Sequence, residues 1–239
     1  MSWPIYRLTV RALLLQRRTV ALLLLTLGPV LMALVFALAA SATSDDRHFY
    51  SRLVQELFVP IVTALIALIV GVSAIGDERE DGTILYLAAT PLPRLGIVIS
   101  KIAAAWTVCL VVLVPSLLLS GLLAVGADAP LGLFGWPLLG VVLAALAYCS
   151  VAAWLSVQVQ RPIVVGVVYI LLWEGSIATW AASADRLSIA AYGRALVAER
   201  LPEASAAVVS PGVAAVVLLG SAAVAALLGA RAMSRAELP

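Results

Sequence analysis

The distribution of apolar and polar positions divides the chain into long hydrophobic runs joined by shorter polar segments. A helix needs roughly 20 consecutive apolar residues to cross a hydrocarbon core, and each run is about that long or longer. The runs do not alternate apolar with polar side chains, as the strands of a transmembrane β-barrel do. We therefore predict an all-α, polytopic membrane protein with six transmembrane helices, at about residues 19–42, 57–76, 95–123, 136–157, 163–182 and 208–230.

Composition supports a membrane protein made of one domain. Hydrophobic residues make up 64% of the 239 residues and charged residues 12%, and the mean hydropathy is +1.12. These values lie outside the range of soluble proteins. No linker or shift in composition interrupts the chain, so we expect a single transmembrane domain over residues 1–239. The net charge of +2, without a basic stripe carrying interleaved aromatic residues, predicts no nucleic-acid partner.

Residues 3–18 predict an amphipathic helix that lies at the membrane interface before the first span. Three arginines share one face at helical spacing and could meet lipid phosphates: Arg7, Arg11 and Arg18. A disordered basic tail that only sets topology is the alternative. A signal peptide is disfavoured, because the apolar run at 19–42 exceeds the 7–15 residues of a signal core.

Orientation follows from the distribution of cations between the two sides of the membrane. With the N-terminus inside, one side carries Arg7, Arg11, Arg17, Arg18, Arg79, Arg94, Lys101, Arg161, Arg231 and Arg235. The other side carries Arg47, Arg52, Arg186, Arg194 and Arg200. The excess on the first side predicts a plasma membrane protein, in the bacterial inner membrane, with both termini in the cytoplasm.

The segment from Gly76 to Lys101 is the densest island of charges and turn residues in the chain. A charge cluster at Asp77–Asp81 precedes Gly82 and Thr83, and a threonine oxygen can cap a helix start. A short apolar helix would follow, until Thr90-Pro91-Leu92-Pro93 ends it. Exposed apolar side chains on such a helix usually mark the surface for a partner.

The pattern Glu78-Arg79-Glu80-x-Gly82-Thr83, followed by Leu87, Thr90-Pro91, Arg94 and Lys101, resembles the intracellular loop of type-2 ATP-binding-cassette (ABC) exporter permeases. The resemblance implies a cytoplasmic coupling helix between spans two and three that docks on an ATPase subunit. It assigns the coupling interface to Glu78, Arg79, Glu80, Asp81, Gly82, Thr83, Leu87, Thr90, Pro91, Arg94 and Lys101. It also implies two ATPase copies, which bind ATP and Mg, and a second permease chain within the lipid bilayer. The alternative is an ordinary polar loop with a helix stop.

Motifs for chemistry are missing from the sequence. No G-x-x-x-x-G-K-[ST] phosphate loop occurs, so ATP hydrolysis is expected on a partner chain and no cofactor on this one. No H-E-x-x-H, C-x-x-C or G-x-S-x-G motif occurs, and His48 is the only histidine, so we expect neither an enzyme nor a metal site. Cys109 and Cys149 fall in predicted spans, where apolar packing is the expected role.

The predicted outer segment at 183–207 is too apolar for a plain loop and too short to span. We expect an interfacial or partly re-entrant helical hairpin over Asp185–Leu196, with a break at Leu201-Pro202-Glu203. A hairpin before the last span also resembles the type-2 exporter pattern. A surface amphipathic helix with no special role is the alternative.

Glu174 is the one acid inside a predicted span. An unpaired acid at the middle of a membrane helix costs roughly 2.5–3.5 kcal/mol, so a lipid-facing position is disfavoured. The side chain could face a substrate path or gate, or it could be a hydrogen-bonded acid that ties span five to the outer hairpin through Arg186 or Arg194. An α-helical wheel places Tyr169 with Trp173 and away from Glu174.

Three function classes are compatible with these patterns. The favoured class is the transmembrane subunit of an ABC exporter that moves a drug, a lipid or another amphipathic cargo. An amphipathic cargo is expected because the predicted interior has few fixed charges. A permease that resembles haem-exporter component B of cytochrome c maturation is the second. A channel or scaffold without an ATPase is the third, although it leaves the loop at 76–101 without a purpose.

Overall fold

The computed structural model of the protein describes residues 3–39, 45–80, 94–126, 130, 132–177, 188–199, 201 and 209–235, and none of these forms a strand. The helices are α1 Trp3–Leu15, α2 Arg17–Ala39, α3 Asp46–Arg52, α4 Ala64–Glu80, α5 Arg94–Val125, α6 Gly132–Gln158, α7 Pro162–Val168, α8 Ile189–Val197 and α9 Pro211–Arg235. Two π-helical segments are continuous with these helices. Leu53–Thr63 joins α3 to α4, and Tyr169–Ile177 continues α7.

Five helical stretches are long and apolar enough to cross a membrane: Ala21–Ala39, Asp46–Gly76, Arg94–Val125, Gly132–Gln158 and Pro211–Met233. They coincide with predicted spans one to four and six, so the all-α membrane class is confirmed. At predicted span five the structure has a shorter apolar helix, Pro162–Glu174. Residues 178–182 of that span lie outside the described residues, and the count of six spans stays a prediction.

The polar segment before span two is helical, which corrects the expected loop at residues 44–56. Asp45 caps α3, because its Oδ1 accepts the N–H of His48 at 3.2 Å. Polar side chains bond to each other within this helix, since Gln55 Nε2 donates to Ser51 Oγ at 2.9 Å. The sequence suggested a loop because charged residues interrupt the apolar run. A helix tolerates charged residues on its exposed face while its apolar face packs on the core.

The helix at Trp3–Leu15 lies against α5, which partly matches the predicted interfacial helix. Tyr6 donates its hydroxyl to Thr107 Oγ1 at 3.0 Å, and Thr19 Oγ1 donates to the carbonyl of Leu13 at the bend into α2. Arg7 and Arg11 are exposed. The position of α1 at a membrane interface stays a prediction.

The centre of the bundle is formed by α4, α5 and α6, and small residues set its close packing. A Cβ on Gly71 would lie 2.9 Å from the carbonyl oxygen of Cys149 and 2.9 Å from Ala152 Cβ. Cys109 Sγ lies 3.5 Å from Cys149 Sγ, and both side chains are buried. By contrast, α2 and α9 lie at the periphery, with 22% and 28% of their spanning windows buried against 83% for Asp46–Gly76.

Helix α8 is the described part of the predicted outer hairpin, and it packs into the bundle. Ala190, Leu196 and Val197 are buried. A Cβ on Gly140 would lie 2.9 Å from the carbonyl oxygen of Gly193, so α6 and α8 approach with their backbones almost in contact. Such packing disfavours the alternative of a surface helix. The remainder of the hairpin lies outside the described residues.

Candidate functional site

The two helices that flank the predicted coupling loop are described, and the loop between them is not. Helix α4 ends at Glu80 and α5 begins at Arg94, so the bundle end that carries these two termini is called the loop end below. Glu78, Arg79 and Glu80 form the last turn of α4, and the placement of their side chains is not described. Six of the predicted interface residues lie outside the described residues: Asp81, Gly82, Thr83, Leu87, Thr90 and Pro91. The docking interface therefore stays a prediction.

Lys101 lies on α5, in the interior of the bundle. Its side chain is fully buried, and Nζ donates to the carbonyl of Ala74 at 3.0 Å. Ala74 belongs to α4 and Lys101 to α5, and each lies about two helical turns from the loop. A buried ammonium group needs a hydrogen-bond partner, so this contact holds the two flanking helices together.

A small apolar cluster continues this connection across the bundle. Ile75 of α4, Val98 and Ile102 of α5, Ala153 of α6 and Met233 of α9 are buried against one another. Close-packed interiors transmit displacement because they leave little free volume. The helix ends that flank the loop therefore pack against α6 and α9.

Glu174 lies at the opposite end of the bundle, where α8 begins; this end is called the hairpin end below. Its carboxylate accepts the hydroxyl of Tyr148 on one oxygen. The other oxygen, Oε1, accepts the N–H of Ile189 at 3.2 Å and the N–H of Ala190 at 3.4 Å. Those two N–H groups belong to the first turn of α8, where a helix has free donors and favours a negative charge.

The carboxylate thus ties three elements together, namely α6, the π-helical segment after α7, and α8. Glu174 is 2% exposed. Arg194 of α8 interacts electrostatically with it, whereas Arg186 lies outside the described residues. This geometry favours the hydrogen-bonded acid that ties span five to the hairpin. A contact with cargo or with a gating partner stays a prediction.

The partner Tyr169 corrects the α-helical wheel. Its hydroxyl lies 3.5 Å from Glu174 Oε1, at the limit of a hydrogen bond. In an α-helix two residues five apart point about 140° away from each other, since each residue turns the chain by about 100°. The segment Tyr169–Ile177 is π-helical, and its i→i+5 bonding brings residues five apart onto one side.

Tyr148 was missed in the sequence as a partner of Glu174. It lies on α6, 26 positions earlier in the chain, and no local pattern joins the two residues. The only signal was chemical, because a tyrosine in a membrane span carries a hydroxyl that needs a partner.

A comparison with known families matches residues 15–173 of the chain to the family described as ABC-2 family transporter protein. The matched range begins at the end of α1 and includes both flanks of the predicted coupling loop. No curated protein matches the chain.

Proposed function

Because the chain belongs to the ABC-2 family of transporter proteins, a family of ABC transporter permeases, we propose that it forms the translocation path of an exporter and couples to a separate ATPase subunit. Coupling would occur at the loop between α4 and α5. The observation that carries this proposal is the buried contact of Lys101 with Ala74, which joins the two flanks of that loop.

The proposed mechanism moves the two flanks as one unit. An ATPase subunit that binds ATP and Mg would change shape and displace the loop. The displacement reaches α4 and α5 together, because Lys101 bridges them. It then reaches α6 and α9 through the cluster that contains Ile75 and Met233. The ABC-2 chain itself supplies no catalytic group in this scheme.

The proposed working unit contains two permease chains and two ATPase subunits in the bacterial inner membrane, with both termini of each permease in the cytoplasm. The exposed apolar faces of α2 and α9 would meet lipid or the second permease chain. The proposed cargo is apolar or amphipathic, because Lys101 and Glu174 are the fully buried charged side chains of the described residues and both are already bonded. Export is the proposed direction.

Charge reversal in the loop tests the coupling proposal. Glu78, Glu80 and Asp81 are replaced together by lysine, and Gly82→Val is made separately to distort the turn. We expect both variants to insert at normal levels and to lose ATPase-dependent transport. In the lysine variant a docking surface of reversed charge repels its partner, and in Gly82→Val the distorted turn displaces the docking helix. Transport and co-purification of the ATPase subunit are the two measurements.

The matched control reverses two exposed acids elsewhere, Glu56→Lys with Glu199→Lys. It reverses two charges rather than three, at sites away from the loop, and should transport as the unaltered protein does. Normal transport and normal ATPase binding in the triple lysine variant would remove the loop from the coupling mechanism.

A further inference from the structure

A cavity of about 390 Å³ opens at the loop end of the bundle, between α2, α4, α6 and α7. Its lining residues are Arg18, Val72, Gly76, Ser156, Val159, Gln160, Arg161, Pro162, Ile163 and Val164. They combine two cations with polar side chains and with an apolar wall. Neither the matched family description nor the proposed coupling mechanism uses this cavity.

The two arginines reach the cavity from different elements. Arg18 comes from the first turn of α2, and its Nη1 lies 3.5 Å from Ser73 Oγ on α4. Arg161 directly precedes α7, and it makes no side-chain hydrogen bond or ion pair with any of the residues that the structure describes. Two guanidinium groups that converge on one cavity suit a phosphate, because each can donate a pair of parallel hydrogen bonds to it.

The apolar wall continues from the cavity along the outside of α7. Val164 is 58% exposed and Val168 is 48% exposed, and both lie on a helix within the proposed fifth span. In a membrane this surface meets acyl chains. The cavity therefore places a cationic site at one end of an apolar surface. This arrangement complements a phospholipid, which has an anionic phosphate at one end of its acyl chains.

We propose that this cavity is a phosphate-binding site and that the headgroup of an anionic phospholipid fills it. Basic pockets between transmembrane helices bind anionic lipid headgroups in other membrane proteins. Arg18 and Arg161 contact the phosphate, Gln160 supplies a further polar contact, and an acyl chain lies along Val164 and Val168.

Bound lipid would connect α2 and α7 to the last turns of α4, next to the coupling loop. Arg18 already lies within reach of Ser73 Oγ, so the loss of Arg161 is the sharper single test. The site is independent of the proposed ATPase coupling. A failure of coupling would leave lipid binding unchanged.

The test measures lipid retention on the whole chain, purified from membranes in mild detergent. Native mass spectrometry follows the binding of phosphatidylglycerol, with phosphatidylcholine as the zwitterionic lipid. We expect Arg161→Gln to weaken phosphatidylglycerol binding severalfold and the double variant Arg18→Gln, Arg161→Gln roughly tenfold or more. Binding of phosphatidylcholine should be weak throughout. Arg161→Lys should restore part of the affinity.

The matched control is the double variant Arg47→Gln, Arg52→Gln, which removes two exposed arginines from α3. It should keep normal phosphatidylglycerol binding, and an equal loss there would overturn the proposal. Each variant is first checked for the elution volume and melting temperature of the unaltered protein, so that a loss of binding cannot be caused by unfolding. A competition with inorganic phosphate separates the two phosphate sources. Full displacement of bound phosphatidylglycerol by millimolar inorganic phosphate would overturn the lipid assignment.

Discussion

At the scale of single residues, the Glu174 carboxylate holds the hairpin end together. It accepts the hydroxyl of Tyr148 and the first N–H groups of α8 at Ile189 and Ala190. Removing it leaves these donors without an acceptor, and each buried donor left unsatisfied costs about 1–3 kcal/mol. We therefore expect Glu174→Leu to lower the melting temperature of the detergent-extracted protein strongly.

Glu174→Gln separates the structural role from a charge-dependent one. The amide keeps an oxygen that can accept the α8 N–H groups, so the melting temperature should fall much less than in Glu174→Leu. If the carboxylate is only structural, cargo export and cargo-stimulated ATPase activity should be unchanged. Lost export in a stably folded Glu174→Gln variant would instead assign the charge to the transport path. Tyr169→Phe is the matched control, because its hydroxyl lies 3.5 Å away and contributes little.

At Lys101, in contrast to Glu174, we expect a substitution to reduce transport more than it reduces the melting temperature. Lys101→Met keeps a long apolar stem and removes the donor to the Ala74 carbonyl. The melting temperature should change little, because the lost bond is offset by the charge that no longer has to be buried. Transport per ATP hydrolysed should fall severalfold, since the flanks of the loop are no longer bridged.

Lys101→Arg is the matched variant for this position. It keeps the positive charge but places a larger planar group in a fully buried site, so its melting temperature should fall. Wild-type transport efficiency in Lys101→Met would show that the bridge between α4 and α5 has no part in coupling.

At the scale of helices, the close contact of α4 with α6 depends on Gly71. A Cβ there would lie 2.9 Å from the carbonyl oxygen of Cys149, a backbone atom that cannot rotate away. We expect Gly71→Ala to destabilise the protein by about 1–3 kcal/mol, as overpacking does in other cores. Thermal unfolding in detergent measures the change.

Gly220→Ala on α9 is the control, because no atom lies within 4 Å of its added Cβ. There the substitution should be neutral or slightly stabilising, since alanine favours helix over glycine by about 0.5–1 kcal/mol. Equal melting temperatures for the two variants would show that α4 and α6 can separate without cost.

Helical elements were readable from the sequence to different degrees. The runs at 95–123 and 136–157 predicted α5 and α6 to within a few residues, because hydrocarbon on all sides forces the backbone to bond within its own helix. The helix at 46–56 was missed, because charged residues interrupt its apolar run, although its polar side chains can bond within the helix, as Gln55 does to Ser51. The π-helical segment at Tyr169–Ile177 was also missed, since no residue pattern distinguishes it from an α-helix.

At the scale of the whole molecule, α2 and α9 present broad apolar faces, with Val216 at 70% exposure and Leu24 at 63%. A permease chain with this periphery should work within a larger assembly, and we expect two permease chains with two ATPase subunits. Mass measurement of the complex extracted in mild detergent gives the stoichiometry. A stable monomer that carries no ATPase subunit would contradict the assembly.

The sequence alone determined the membrane class, the approximate positions of the spans and the resemblance of residues 76–101 to an ABC exporter loop. These properties are local. Hydrophobic length predicts a span because the bilayer has a defined thickness, and a charged, proline-ended loop can be recognised from the order of its own residues.

Only the tertiary structure decided what the isolated polar groups do. Lys101 meets Ala74 across 27 positions of the chain, Glu174 meets Tyr148 across 26, and the cavity joins Arg18 to Arg161. Each pairing depends on the rotation and depth of two helices, which are set by the packing of residues such as Gly71 rather than by any local pattern. A charge in a span must find a partner, and the fold decides which partner is within reach.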